Sequence, residues 1–241
     1  MTPYFLGEFL GTMTLIIFGS GVVANTLLAK SKGENAGWLT IVTGWFVAVV
    51  FGVFVAESAG APNADLNPCV TLAKLYMGIY TTPELLQIWL AQLLGSMLGA
   101  TIAWLAYYPH WKVTENTAYK LAIFSTSPAI RHYPSNLIAE IIGAALLVFC
   151  IGAIFGHTTS HTIAPGLGPY LVGILVWGIG LSLGGATGYA INPARDLGPR
   201  IMHAILPLGI KGSSDWAYAW VPVIGPLIGG LIGGILWKCC F

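Results

Sequence analysis

Asparagine followed by proline occurs twice in this apolar chain, in Asp65-Leu66-Asn67-Pro68-Cys69-Val70-Thr71 and in Ala190-Ile191-Asn192-Pro193-Ala194-Arg195-Asp196, 125 residues apart. Asn-Pro suits a helix start: Asn caps the first turn, and Pro fits the first helical position because its missing N–H had no partner there. Two such starts in matching halves of a membrane protein point to paired half-helices whose positive ends meet where a solute passes. Arg195 adds a fork of fixed donors beside the second start. Glu8 and Glu140 stand within apolar stretches, where a carboxylate is costly unless it is partnered.

The elements that must hold these residues are spans. The 241 residues are 56% hydrophobic and 8% charged, against about a quarter charged in soluble domains. A net charge of +1 offers no electrostatic footprint for nucleic acid. Residues 9–29, 35–56, 85–111 and 216–237 contain no Asp, Glu, Lys or Arg and are long enough to cross a bilayer. The run 141–194 is uncharged over 54 residues and is broken by Pro165-Gly166-Leu167-Gly168-Pro169, so it forms two spans and a loop. Six spans follow. Residues 4–28 read as a retained first span, because no basic stretch or small-residue cleavage site precedes it.

The chain also repeats itself. Gly7-Glu8-Phe9-Leu10-Gly11 and Ala139-Glu140-Ile141-Ile142-Gly143 each open a half, and Asn-Pro follows the glutamate after 59 and 52 residues. Three spans and one half-helix per half place the halves, 1–107 and 135–241, in opposite orientation within one channel domain, 1–241. The half-helices are expected near 67–77 and 192–202, as re-entrant segments too short to span. The connection 108–134, with Pro109, Pro128 and Pro134, is expected to be a surface loop. The pairs Gly7/Gly11, Gly95/Gly99 and Gly229/Gly233 allow close helix approach in lipid. Cys69, Cys150, Cys239 and Cys240 lack zinc-site or disulfide spacing.

The paired motifs, the Glu-x-x-Gly starts of spans one and four and the six-plus-two layout resemble the aquaporin and glycerol facilitator (major intrinsic protein) family. Asn-Pro-Ala-Arg-Asp-Leu-Gly-Pro-Arg at 192–200 is similar to the glycerol-conducting branch. The fold implied is all-α: six transmembrane helices plus two re-entrant half-helices in an inverted repeat. The resemblance further implies pore motifs at Asn67, Pro68, Cys69, Asn192, Pro193 and Ala194, with both asparagines donating into a lumen. It implies a selectivity filter of Trp45, Gly180, Tyr189 and Arg195. Carbonyls of Asn63, Ala64, Asp65, Gly188, Tyr189 and Ala190 would form an acceptor ladder, and Glu8 and Glu140 would accept from the re-entrant backbone.

In that filter Gly180 leaves room for a carbon chain, and Trp45 and Tyr189 form an apolar corner facing Arg195. A polyol suits such an edge, with CH groups on the rings and hydroxyls on the polar wall. Departures from the family pattern are Cys69 for Ala, Asp65 for His, Tyr189 for Phe and a lengthened 60–66 segment. Asp65 is expected to bond that loop rather than charge the vestibule. Cys69, beside the motif, predicts mercurial sensitivity. His157 and His161, four apart, could share a helical face as metal ligands but lack a third; a loop after span four is expected.

The implied function is passive conduction of glycerol, other small neutral solutes and water, excluding protons and ions, by a homotetramer in the cell membrane. Its partners are those solutes and the lipid bilayer; no enzyme activity, catalytic residue, cofactor or metal is expected. Rivals are a water-selective aquaporin, an intramembrane enzyme using His157, His161 and Asp65, and an adhesive protein with a closed pore. Charge counting puts Lys30, Lys32, Lys112, Lys120, Arg131 and Lys211 on the side opposite the termini, against Lys238 beside them. The positive-inside rule would then put the termini outside. The family implies the reverse, and we prefer it.

Overall fold

Residues 2–156 and 159–241 are described by a computed structural model. Long helices dominate. Helix α1 (Pro3–Leu27) starts at Thr2, whose hydroxyl accepts from the Phe5 N–H, and is followed by α2 (Trp38–Ser58). The short α3 (Pro68–Tyr76) leads to α4 (Thr82–Ala106), and two short helices, α5 (His110–Val113) and α6 (Thr117–Phe124), join the halves. The second half comprises α7 (Tyr133–Phe155), α8 (Leu167–Leu183), α9 (Pro193–Ile205) and α10 (Val221–Cys240). Helices α1, α2, α4, α7 and α10 are long and apolar enough to cross a membrane. Helix α8, at 17 residues, is the sixth and shortest, with a rise of roughly 25 Å.

Packing repeats between the halves. Helix α1 packs on α2 and α4, and α7 packs on α8 and α10. Each half-helix is gripped by the other half: α3 lies on α10, and α9 on α4. Small residues make the closest crossings. A β-carbon at Gly95 would lie 2.3 Å from the Phe9 carbonyl oxygen, and one at Gly99 2.5 Å from that of Met13. The matching distances in the second half are 2.3 Å from Gly229 to the Ile141 oxygen and 2.6 Å from Gly233 to that of Ala145. In lipid, where apolar surface gains nothing by leaving its solvent, such backbone approach supplies the attraction. The outer faces remain apolar: Leu86, Leu90, Leu94 and Leu98 run down one side of α4, and Ile224, Ile228 and Ile232 down α10, all exposed.

The connection between the halves corrects the sequence expectation. It is no mere surface loop, because Trp111 and Phe124 are buried at 1% exposure and their rings pack together, tilted by 38° with centroids 5.7 Å apart. The Trp111 indole donates to the Trp104 carbonyl, and Lys120 Nζ donates to the Leu208 and Ile210 carbonyls at 3.0 and 2.7 Å. Burial pushes the Lys120 ammonium below its ordinary pKa. Half-helix α9 extends three residues beyond the expected 202, and Lys211 Nζ caps its last carbonyls, those of His203, Ala204 and Leu206. Arg131 pairs with Asp215, whose carboxylate raises the guanidinium's pKa further. Half of the cations opposite the termini thus serve local structure, which weakens the charge count as a topology signal. The expected His157 position lies outside the described residues; His161 sits in a single 3₁₀ turn, Ser160–Thr162.

Gly95→Val and Gly229→Val should each lower the thermal unfolding midpoint in detergent by roughly 5–10 °C, the effect of overpacking a fixed crossing. A shift below that measured for an outward change such as Leu90→Val would mean that these crossings do not limit stability.

Candidate pore and its lining

The two Asn-Pro segments meet. Asn67 caps α3 by accepting from the Cys69 N–H at 3.0 Å, and Asn192 caps α9 by accepting from the Ala194 and Arg195 N–H groups at 3.0 and 3.1 Å. Each amide then reaches across: Asn67 Nδ2 donates to the Ile191 carbonyl, and Asn192 Nδ2 to the Leu66 carbonyl, both at 2.8 Å. An amide nitrogen carries two N–H groups. One of each pair ties the half-helices head to head, and the second remains for the cavity that both residues line. The facing helix starts add partial positive charge at this meeting point.

The chain reaches that point under strain. Ala64 and Leu66 have φ of 37° and 52°, and Tyr189 and Ile191, at the same offsets from Asn192, have 40° and 42°. Such left-handed non-glycine residues cost of order 1–3 kcal/mol each and persist only where their surroundings impose them. The buried carboxylates do so. Glu8 accepts from the Asp65 N–H at 2.7 Å, the Leu66 N–H at 2.9 Å and Gln92 Nε2 at 2.9 Å. Glu140 accepts from the Thr187 hydroxyl at 2.6 Å and from the Ala190 and Ile191 N–H groups at 3.0 and 2.8 Å. Gln92 also donates to the Thr71 hydroxyl, so α1, α3 and α4 share one network.

A cavity of about 360 Å³ runs past this crossing, lined by Asn67, Asn192, Trp45, Tyr189 and Arg195 and, toward the termini, by Asn63, Asp65, Lys74 and Glu57. Arg195 is buried, and its guanidinium carbon lies 4.3 Å from the centre of the Trp45 ring. Its guanidinium makes no hydrogen bond or ion pair to any described residue. Trp45 itself is wedged against Gly19, where a β-carbon would fall 2.3 Å from the ring. Together these groups pair an apolar wall with an uncommitted fork of donors.

Four expected residues sit differently. Gly180 does not line the cavity; a β-carbon there would lie 2.8 Å from Tyr189 Cζ, so the missing side chain makes room for the tyrosine ring. The Tyr189 hydroxyl is buried without a partner among the described residues, and Trp38 braces this corner by donating from Nε1 to the Gly180 carbonyl. Cys69 turns away from the cavity: it is fully buried, its thiol lies 3.4 Å from the Ile191 carbonyl, and Gly230 of α10 closes over it. Asp65 pairs with Lys74 rather than with the loop, and Lys74 in turn donates to the Asn63 carbonyl at 3.1 Å. Of the expected ladder, Asn63, Ala64, Asp65, Tyr189 and Ala190 line the cavity; Gly188 lies behind it, close against Thr126.

Asp196 and Arg200, inside the 192–200 motif, form a buried cluster to which the sequence assigns no role. Arg200 Nε donates to Asp196 at 2.8 Å, its Nη1 to the Ser214 carbonyl at 2.8 Å and its Nη2 to the Thr126 carbonyl at 3.0 Å. Asp196 also accepts from the Thr126 N–H and hydroxyl, both at 2.7 Å. This fully buried pair clamps two loops onto α9 beside Arg195. The only sequence signal was Asp and Arg four apart on one helix.

The family model described as Major intrinsic protein matches residues 2–237. The chain belongs to the major intrinsic protein family. Similar relatives include a "Probable glycerol uptake facilitator protein" of Thermotoga maritima, 50% identical over 92% of each chain. "Glycerol uptake facilitator protein 3" of Lactiplantibacillus plantarum is 51% identical over 91% of this chain and 89% of its own. Among solved structures, "X-ray structure of the aquaglyceroporin from Plasmodium falciparum" superposes with a TM-score of 0.84 at 27% identity, covering 99% of this chain and 96% of that one. The aquaporin-like fold, six spans with two half-helices, is that of the major intrinsic proteins.

Glu140→Gln should destabilise the protein by about 3 kcal/mol, because the glutamine amide turns a donor toward backbone donors that cannot move. Thermal unfolding in detergent measures this, and a midpoint within error of wild type would exclude the bracing role. Mercurials should slow solute flux equally in wild type and Cys69→Ala, since the thiol is walled off; selective protection by the alanine would show that the thiol reaches the lumen.

Proposed function

We propose that this protein is a passive channel for glycerol and other small neutral solutes, and for water, that excludes protons and ions. The observation that carries it is the cavity wall in which Arg195 lies over Trp45 with its donors uncommitted. A solute leaving water loses hydroxyl bonds, each worth about 1–3 kcal/mol if left unmade. Arg195 donors, carbonyls of residues 63–65 and 189–190 and the asparagine amides replace them in sequence, while Trp45 and Tyr189 accept the CH edge. The Arg195 guanidinium and the abutting half-helix starts disfavour cations, and a water held by Asn67 and Asn192 is oriented against proton relay. The relatives named as glycerol uptake facilitators support this choice of solute.

The protein acts as a membrane channel, not an enzyme, and sits in the membrane as a multi-pass protein; its similarity to bacterial facilitators favours the plasma membrane. We place the two inverted halves at 1–107 and 135–241 within a single domain. The exposed apolar stripes on α4 and α10 are suited to lipid or to neighbouring subunits of a homotetramer, each with its own pore.

Proteoliposomes in glycerol and sorbitol gradients test the function. Glycerol entry well above that of empty vesicles is expected, and fast water flux with negligible glycerol entry would favour a water-selective channel instead. Gly180→His should lower glycerol flux at least tenfold more than water flux, because the new side chain drives Tyr189 further into the lumen; an equal fall in both would show that the placing of Tyr189 does not set the choice of solute.

A further inference from the structure

One ion pair in the cavity wall has no counterpart in the second half of the chain. Asp65 stands two residues before Asn67 and Lys74 seven after it; at the same offsets from Asn192 stand Ala190 and Pro199. The pair is placed at the end of the cavity nearer the chain termini, where Glu57 is the other charged lining residue. The side chain of Asp65 is 0% exposed and that of Lys74 10% exposed. Solute therefore meets the ammonium, with the carboxylate behind it.

Hydrogen bonding leaves the ammonium incompletely used. Lys74 Nζ donates to Asp65 and to the Asn63 carbonyl, and an ammonium has a third N–H. Asp65 also keeps Oδ2 without a partner among the described residues, while its own N–H is held by Glu8. Two carboxylates thus flank one buried peptide, and Lys74 is the cation that offsets one of them. Without Asp65, Lys74 would be a fixed positive charge in a narrow, poorly hydrated mouth, a site that attracts anions. At the opposite end Arg195 is also a cavity-lining cation, with an aromatic ring in place of a counter-ion.

We infer that Lys74 is a hydrogen-bond donor for neutral solutes at the mouth nearer the termini, and that Asp65 is its built-in counter-ion, which denies anions a net positive site. The pair is a specificity determinant that rests on the cavity being a solute channel. A passing hydroxyl needs only the free N–H and takes it. An anion approaching the same atom is also repelled by the field of the Asp65 carboxylate behind it and of Glu57 beside it, and gains little.

The test uses the full chain, with inorganic phosphate as the anionic probe. In proteoliposomes, millimolar phosphate should slow glycerol flux severalfold in Asp65→Asn, and should not slow it in wild type or in Asp65→Asn/Lys74→Met. The double variant, neutral and close in shape, should conduct glycerol with a half-saturating concentration raised about threefold, as for one lost hydrogen bond in a partly wet site. In detergent, phosphate should raise the unfolding midpoint of Asp65→Asn and leave that of the double variant unchanged. This readout does not depend on glycerol transport, so a wild type that moved no glycerol would sink the channel function while the pair was still decided. Phosphate acting equally on the single and double variants, or an unchanged half-saturation in the double variant, would overturn the inference. Should Asp65→Asn fail to fold, Asp65→Ser carries the phosphate arms and the double variant the glycerol arm.

Discussion

Every unusual feature of this protein follows from burying irregular backbone at membrane depth. A segment that enters the bilayer and turns back leaves N–H and C=O groups with neither helix nor water to satisfy them. Here each re-entrant strand hands its N–H groups to a glutamate on the first helix of its own half, Glu8 or Glu140. The last carbonyls before each half-helix go to the asparagine of the other half. The bonding is reciprocal, so neither half is satisfied alone, and left-handed backbone at four non-glycine positions is held in place by it. Residues 63–65 and 189–190, next to this crossing, line the cavity.

On this symmetric frame the side chains are asymmetric. Val70 and Arg195 occupy matching positions three beyond the two asparagines, as do Ala64 and Tyr189 three before them. One end of the cavity therefore has an aromatic corner and a buried cation without a counter-ion. The other has Lys74 compensated by Asp65. Charge is handled oppositely at the two ends, by a ring face in one case and by a carboxylate in the other. The lumen then carries polar groups at its two ends and at the asparagine crossing, between apolar walls, with no buried charge there left without some partner.

The connecting segment shows how far a loop can be structural. Its cations and aromatics are committed inward: Lys120 to carbonyls of the segment after α9, Trp111 and Phe124 to each other, and Thr126 to Asp196. The clamp through Arg200 and Asp196 holds that segment against the base of Arg195. Pro109 and Pro128 fall in the break between α4 and α7. They could not reveal the ties of Lys120 and Thr126, because those partners lie some 70–90 residues away.

What the chain determined by itself was local and periodic. Uncharged runs long enough to cross lipid, Asn-Pro as a capped start, glutamates displaced into apolar stretches and glycines four apart all act through neighbours a turn away or through the solvent. These features are legible because a bilayer punishes every exception. Tertiary structure alone decided which way each side chain faces where α3 and α9 abut. Cys69 follows Pro68 directly, yet it points to Gly230; Gly180 makes room for a ring and not for solute; Asp65 finds Lys74 across the mouth of α3. The first two depend on which atoms of distant elements fill the adjoining space, and the third on how the segment before α3 folds back along it; steric exclusion of this kind leaves no trace in local spacing.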